Sequence, residues 1–162
     1  MNGNSGKWQP LASRTDAPEA LRSWLGETGS LTARVRSRCV RGFSLRVIEE
    51  VQEGAAHRRD IVMCDGDAPL VFARTLVPMD TLAAHPWLAE LGEQPLGSRM
   101  YEEPGFHREA FEVARLVAGD ELHDFIHAHI MPLAGPVWAR RARAAFFEHG
   151  FEISECFLPG LI

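Results

Sequence analysis

Residues 58–78 read RRDIVMCDGDAPLVFARTLVP, and this stretch decides the fold. Asp65-Gly66 supplies turn chemistry, because these residue types accept the positive φ angles that a tight hairpin needs. The arms on either side are rich in Val, Ile and other apolar residues, as is typical of half-buried strands. The stretch therefore predicts a β-hairpin.

Each arm of this hairpin carries an arginine on an apolar face. Side chains alternate between the two faces of a strand, so each arginine has hydrophobic neighbours: Arg59 shares a face with Ile61 and Met63, and Arg74 with Leu70, Phe72 and Leu76. A guanidinium in such surroundings requires an anion, either a protein carboxylate or a bound ligand. For Arg74 a protein carboxylate is favoured, because Asp60, Asp65 or Asp67 can pair with it near the turn.

Length and composition indicate one globular domain spanning residues 1–162, with 46% hydrophobic and 24% charged residues. The net charge of −5 argues against a broad nucleic-acid surface. Three cysteines without CxxC spacing indicate a reducing compartment. The sequence shows no signal peptide and no apolar run near the roughly 20 residues that span a bilayer. We expect a soluble, cytoplasmic monomer with no nucleic-acid partner and no membrane span.

The remaining periodicity predicts four further strands and several helices. Residues 108–117 alternate like a strand although their charge content also suits a helix, and we prefer the strand. Together with the hairpin, these segments give about six strands: 42–51, 108–117, 137–147 and 151–158, the last two joined at His149-Gly150. Most links are hairpins or short helical excursions, which favours a single-domain α+β fold with an antiparallel sheet.

The helical segments begin at recognisable capping residues. Helices are expected after Asp16, after Ser30 and after Asp80, and apolar residues at helical spacing predict another from Asp120 to Met131. Residues 1–14 are polar and Gly-rich, so we expect them to be flexible.

Glu155 is the second charged residue in an apolar row, which it shares with Phe151, Ile153 and Phe157. Two interpretations of Arg59 and Glu155 stay open. They form a buried ion pair with a structural role, or they line a pocket in which the arginine binds an anion and the glutamate acts as acid, base or hydroxyl acceptor.

Two further clusters bear on the site. The run Arg140-Arg141-Ala142-Arg143 places positive charge on both faces of a strand, so one member is a candidate for a substrate carboxylate. His123 and His127 have the i, i+4 spacing of metal ligands, but no carboxylate or cysteine completes a known pattern and His129 lies on another face. We predict no metal site.

The sequence resembles the chorismate lyases (chorismate pyruvate-lyases), which supply 4-hydroxybenzoate for ubiquinone. The resemblance rests on four segments that follow the family's order: RDIVMCDGDAPLVFARTLVP, DTLAAHPWLAELGEQPLGSRMY, VWARRARAAF and ISECFLP. The segment WLGETGSLTARV also fits, more weakly. It implies a six-stranded antiparallel sheet with helical flaps over a buried ligand pocket. It also implies the conversion of chorismate to 4-hydroxybenzoate and pyruvate, without a metal or organic cofactor.

The resemblance further implies the site residues. The family's ligand-binding arginine falls on Arg59 and its strand carboxylate on Glu155, which are the expected catalytic residues. The family's ligand contact in the Pro-Leu-Gly turn falls on Leu96. Its ligand contact in the N-terminal helical lobe, a Met in one family member, falls on Leu31. The enolpyruvyl carboxylate of the substrate needs another cation, for which Arg74 and Arg141 are the candidates.

The sequence departs from the family pattern in two places, and the resemblance leaves one alternative function open. The segment 51–59 looks shorter than in the family, and 119–136, which holds the three histidines, looks like an insertion. The alternative is a non-enzymatic sensor or carrier of small aromatic acids with the same fold. Sensors of this type carry a DNA-binding module, for which the stretch before the first predicted strand is too short.

Overall fold

The computed structural model describes residues 7–162. Its strands are β1 (Gln9–Pro10), β2 (Phe43–Glu53), β3 (Ala56–Asp65), β4 (Ala68–Pro78), β5 (Phe106–Arg108), β6 (Glu112–Leu116), β7 (Val137–Phe146) and β8 (His149–Phe157). They form an antiparallel sheet with the order β1-β6-β7-β8-β4-β3-β2, and β5 pairs with β7. The helices are α1 (Glu19–Leu25), α2 (Leu31–Arg38), α3 (Met79–Ala84), α4 (Gly97–Met100) and α5 (Glu121–His129).

The predicted α+β class with an antiparallel sheet is confirmed, but the described sheet has eight strands rather than about six. Residues 108–117 are divided between the short strands β5 and β6, and Gln9–Pro10 adds β1. Strands of two or three residues are too short to leave an alternating pattern, so the sequence gives no sign of them.

The predicted hairpin forms β3 and β4, joined by a two-residue turn in which Gly66 has a φ of +58°. An irregularity between Met63 and Cys64 shifts the register of the pair. Because of this shift, Leu70 packs in the same cluster as Ile61, whereas Phe72 packs in a second cluster. The expectation that Leu70 and Phe72 share a face is therefore wrong.

The turn between β7 and β8 lies at Phe147-Glu148, two residues before the predicted position. Phe147 has a φ of +54°, which is uncommon for an aromatic residue. Its amide donates a hydrogen bond to the Gly105 carbonyl (2.9 Å), and its ring lies so close to Gly105 that a Cβ there would be 2.5 Å from a ring atom. A contact with a distant segment, and not local turn chemistry, sets this turn.

Helices cover both faces of the sheet. On one face, α1 and α2 contribute Leu25 and Val35 to a buried cluster with Ile61. On the other, Ile126 of α5 packs with Phe72. No helix of the described residues is long and apolar enough to cross a membrane.

The sequence predicts that residues 1–14 are flexible, but residues 1–6 of this segment lie outside the described range. Trp8 is buried, and Gln9–Pro10 pairs with β6. Whether 119–136 is an insertion relative to the family stays a prediction.

Candidate functional site

A cavity of about 70 Å³ lies between the sheet and the segments that carry α2 and α4. Four of the predicted site residues line the cavity together: Leu31, Arg59, Leu96 and Glu155. Three arginines and one glutamate are the charged residues of its lining: Arg59, Arg108, Arg140 and Glu155.

Arg59, on β3, is a buried cation that forms no ion pair with any of the described residues. It is 3% exposed, and its Nη2 donates hydrogen bonds to the carbonyl oxygens of Gly92 (2.8 Å) and Gln94 (2.9 Å). Its Nε is buried and has no partner among the described residues. Burial lowers the pKa of Arg59, although the charge of Glu50 acts in the opposite direction. Such a guanidinium is ready to bind an anion that enters the cavity.

Glu155, on β8, is paired with Arg140 rather than with Arg59. The two residues lie directly opposite each other on β7 and β8, and Arg140 Nε donates to Glu155 Oε1 at 2.9 Å. Arg140 is 1% exposed, and its Nη1 also donates to the Glu27 carbonyl at 2.6 Å. Its guanidinium lies 3.9 Å from the centre of the Phe111 ring. These contacts hold the Glu155 carboxylate at one place on the cavity wall.

The sequence interpretation named Arg141 where the structure places Arg140 in the cavity. Residues directly opposite in an antiparallel pair point to the same face, so the β7 residue opposite Glu155 is the one that faces the cavity. Arg141 points to the other face, donates to Glu112 (3.1 Å) and stacks over Trp8. Pairing 137–147 with 151–158 in the sequence would have selected the correct arginine.

Arg74 also lies away from the cavity, which corrects its proposed contact with substrate. It is buried on the opposite face, where its Nε donates to Asp60 Oδ1 (2.8 Å) and its Nη1 to Glu121 Oε1 (2.9 Å). Its guanidinium lies 4.9 Å from the centre of the Phe125 ring. The protein itself supplies the anions that this buried arginine requires.

Two of the three histidines of α5 bind backbone groups. The Nε2 atom of His123 lies 2.9 Å from the Gly135 carbonyl, and Nδ1 of His127 accepts a hydrogen bond from the Leu133 amide at 2.9 Å. Both side chains therefore hold the loop that follows the helix. Residues 7–162 contain no group of three or more His, Cys, Asp and Glu side chains that is arranged to hold a metal ion.

Comparison with known proteins places the chain in a family. The model of the chorismate lyase family matches residues 3–162. The chain belongs to the chorismate lyase family. It is 31% identical to a probable chorismate pyruvate-lyase of Thiobacillus denitrificans, with 96% of this chain and 90% of that protein covered. It is 35% identical to the probable chorismate pyruvate-lyase 1 of Pseudomonas entomophila, with 86% and 82% covered.

A solved structure shares the fold at low sequence identity. It is the C-terminal domain of the histidine utilization repressor of Pseudomonas syringae, with a TM-score of 0.53 and 12% identity over 74% of this chain and 94% of that one. This likeness concerns the arrangement of strands and helices alone.

Proposed function

We propose that the protein is a chorismate pyruvate-lyase, which converts chorismate to 4-hydroxybenzoate and pyruvate. The observation that carries the proposal is the buried guanidinium of Arg59, which forms no ion pair with the described residues and whose Nε has no hydrogen-bond partner among them. It lies in a cavity that also holds Glu155, in a chain of the chorismate lyase family. A buried cation without a counter-ion is costly for the folded protein. A carboxylate ligand offsets that cost.

The charge of the cavity fits the substrate. Three guanidinium groups and one carboxylate line it, which leaves an excess of two positive charges. Chorismate carries two carboxylates and is a dianion at neutral pH. Opposite charge in a cavity bounded by protein favours binding more strongly than it would on an open surface.

The reaction requires positioning and charge control more than a strong nucleophile. The bond between C3 and the ether oxygen breaks, and its electron pair leaves with the oxygen as enolpyruvate. The proton on C4 is lost from the ring, and enolpyruvate gains one proton on its methylene carbon to become pyruvate. The ring becomes aromatic, and aromatisation supplies most of the driving force. Arg59 holds the ring carboxylate, and Glu155 contacts the C4 hydroxyl and assists the movement of the proton.

Backbone amides next to the cavity complete the proposed binding of the ring carboxylate. Leu31 is the first residue of α2, and the amides of a first helical turn have no partner within the helix. Ser30 caps this helix by accepting a hydrogen bond from Ala33. Leu96 lies directly before α4 and lines the same cavity. We propose that both leucines contact the ligand through the backbone.

The proposal extends to the setting of the reaction. The enzyme acts without a metal or organic cofactor, as a cytoplasmic monomer, and its 4-hydroxybenzoate serves ubiquinone synthesis. The statement that no metal or organic cofactor is needed is tested together with the activity.

The test is incubation of the purified, chelator-treated protein with chorismate, with both products followed by chromatography. We expect 4-hydroxybenzoate and pyruvate in equal amounts. Tight binding of 4-hydroxybenzoate without turnover would replace the lyase by the sensor or carrier alternative. Absence of both turnover and binding would contradict the proposal as a whole.

A further inference from the structure

Arg108 is the charged cavity residue to which the proposed reaction gives no role. It lies half-buried on β5 and lines the cavity together with Arg59 and Arg140. Its Nη1 donates to the Tyr101 hydroxyl (3.0 Å) and its Nη2 to the Thr28 carbonyl (3.1 Å). All its hydrogen-bond partners among the described residues are thus uncharged.

The three cavity arginines differ in how their charge is compensated. Arg140 has the carboxylate of Glu155 as its counter-ion. Arg59 and Arg108 form no ion pair with any carboxylate in residues 7–162. The cavity therefore contains two uncompensated guanidinium groups, and a ligand with two carboxylates satisfies both.

We propose that Arg108 binds the second carboxylate of the substrate and makes the site prefer dicarboxylates over monocarboxylates. This inference rests on the proposed function, in which Arg59 takes the ring carboxylate. Arg108 thereby takes the place that the sequence had suggested for Arg74 or Arg141.

Arg108 can exchange its present hydrogen-bond acceptors for a ligand carboxylate. A guanidinium–carboxylate bond is about twice as strong as a bond to a neutral acceptor, and its two parallel N–H groups match a carboxylate. A ligand carboxylate therefore displaces the Thr28 carbonyl or the Tyr101 hydroxyl. The Phe111 ring, 4.4 Å from the guanidinium carbon, supports the plane of the side chain during the exchange.

The same contact distinguishes substrate from aromatic product. Chorismate has a second carboxylate and 4-hydroxybenzoate does not, so Arg108 contributes to binding of the first and not of the second. Once pyruvate has left, Arg108 returns to the Thr28 carbonyl in the loop between α1 and α2.

The experiment compares both ligands in the Arg108→Gln variant. We expect KM for chorismate to rise about 10- to 100-fold, the loss that one charge-assisted interaction implies. The Kd for 4-hydroxybenzoate, measured by calorimetry, stays within about threefold of wild type. Arg108→Lys, which keeps the charge but not the fork, gives an intermediate KM.

Tyr101→Phe is the matched control, because it removes one acceptor of Arg108 but keeps the cation. It should preserve the preference for chorismate over 4-hydroxybenzoate. An equal loss of affinity for both ligands in Arg108→Gln would show that Arg108 only supports the loop, and unchanged affinities would show that it does not contact substrate. Either result overturns the inference.

The two proposals fail in different ways. If the wild type binds chorismate but does not cleave it, the proposed lyase activity is wrong, and the ratio of the two Kd values still tests Arg108. If the wild type binds neither ligand, both proposals are contradicted.

Discussion

Replacement of Arg140 by leucine leaves the Glu155 carboxylate without its counter-ion inside the protein. The side chain of Glu155 is 13% exposed and that of Arg140 is 1% exposed, so water can compensate little of the lost interaction. The substitution also removes the donor to the Glu27 carbonyl (2.6 Å). Breaking a buried pair in this way costs about 3–5 kcal/mol of unfolding free energy.

In a chain of this length, each kcal/mol lowers Tm by about 2–4 °C, so we expect a decrease on the order of 10 °C. The double variant Arg140→Leu/Glu155→Leu removes both charges. Its free energy of unfolding should be at least about 2 kcal/mol higher than that of Arg140→Leu, because an apolar pair replaces an unpaired buried charge. The double variant should nevertheless be inactive on chorismate, since Glu155 is the proposed contact of the C4 hydroxyl.

The assay is equilibrium unfolding in urea, followed by tryptophan fluorescence, for the four members of the double-mutant cycle. Arg141→Leu is the matched control, because its side chain is 30% exposed and pairs with Glu112, which is 44% exposed. Exposed pairs contribute about 1 kcal/mol or less. A loss below about 1 kcal/mol for Arg140→Leu, or additive losses in the double variant, would refute this description of the pair.

Two further predictions concern the turns that hold the sheet together. Gly105→Ala should lower the unfolding free energy by about 1–3 kcal/mol in urea titration, because the new Cβ would overlap the Phe147 ring; a neutral result would contradict this packing. Hydrogen bonds from the Val40 and Arg41 amides lower the pKa of Asp65. The ionised carboxylate thus stabilises the fold above its unfolded pKa of about 3.9, and this contribution is lost as pH falls through the lower folded pKa. The stability difference between wild type and Asp65→Asn should therefore be largest near neutral pH and narrow below about pH 4; a constant difference would count against it.

The parts of the fold that local chemistry determines were predictable. The Asp65-Gly66 turn depends on a glycine with positive φ, and alternation from that turn places Arg59 on the face of Ile61, as the structure has it. The turn at Phe147 was not predictable, because it depends on a contact with Gly105, which lies 42 residues earlier in the numbering.

The incorrect predictions of site residues also depend on contacts between segments that are distant in the sequence. The apolar neighbours of Arg74 correctly indicated burial, and its partner Asp60 lies directly opposite it in the predicted hairpin. Its second partner, Glu121, comes from α5, and no pattern within the strand reveals that contact. The arginine run alone does not distinguish Arg140 from Arg141 as the residue that faces the cavity. Pairing with Glu155 selects Arg140.

The central claim is that the unpaired guanidinium of Arg59 binds the ring carboxylate during cleavage of chorismate. The most direct measurement compares kcat/KM for chorismate in wild type, Arg59→Met and Arg115→Gln, the last being an exposed arginine outside the cavity. The claim predicts a loss of at least about 100-fold for Arg59→Met, with a similar loss of affinity for 4-hydroxybenzoate, and wild-type values for Arg115→Gln. An Arg59→Met variant that is folded and retains wild-type kcat/KM would contradict it.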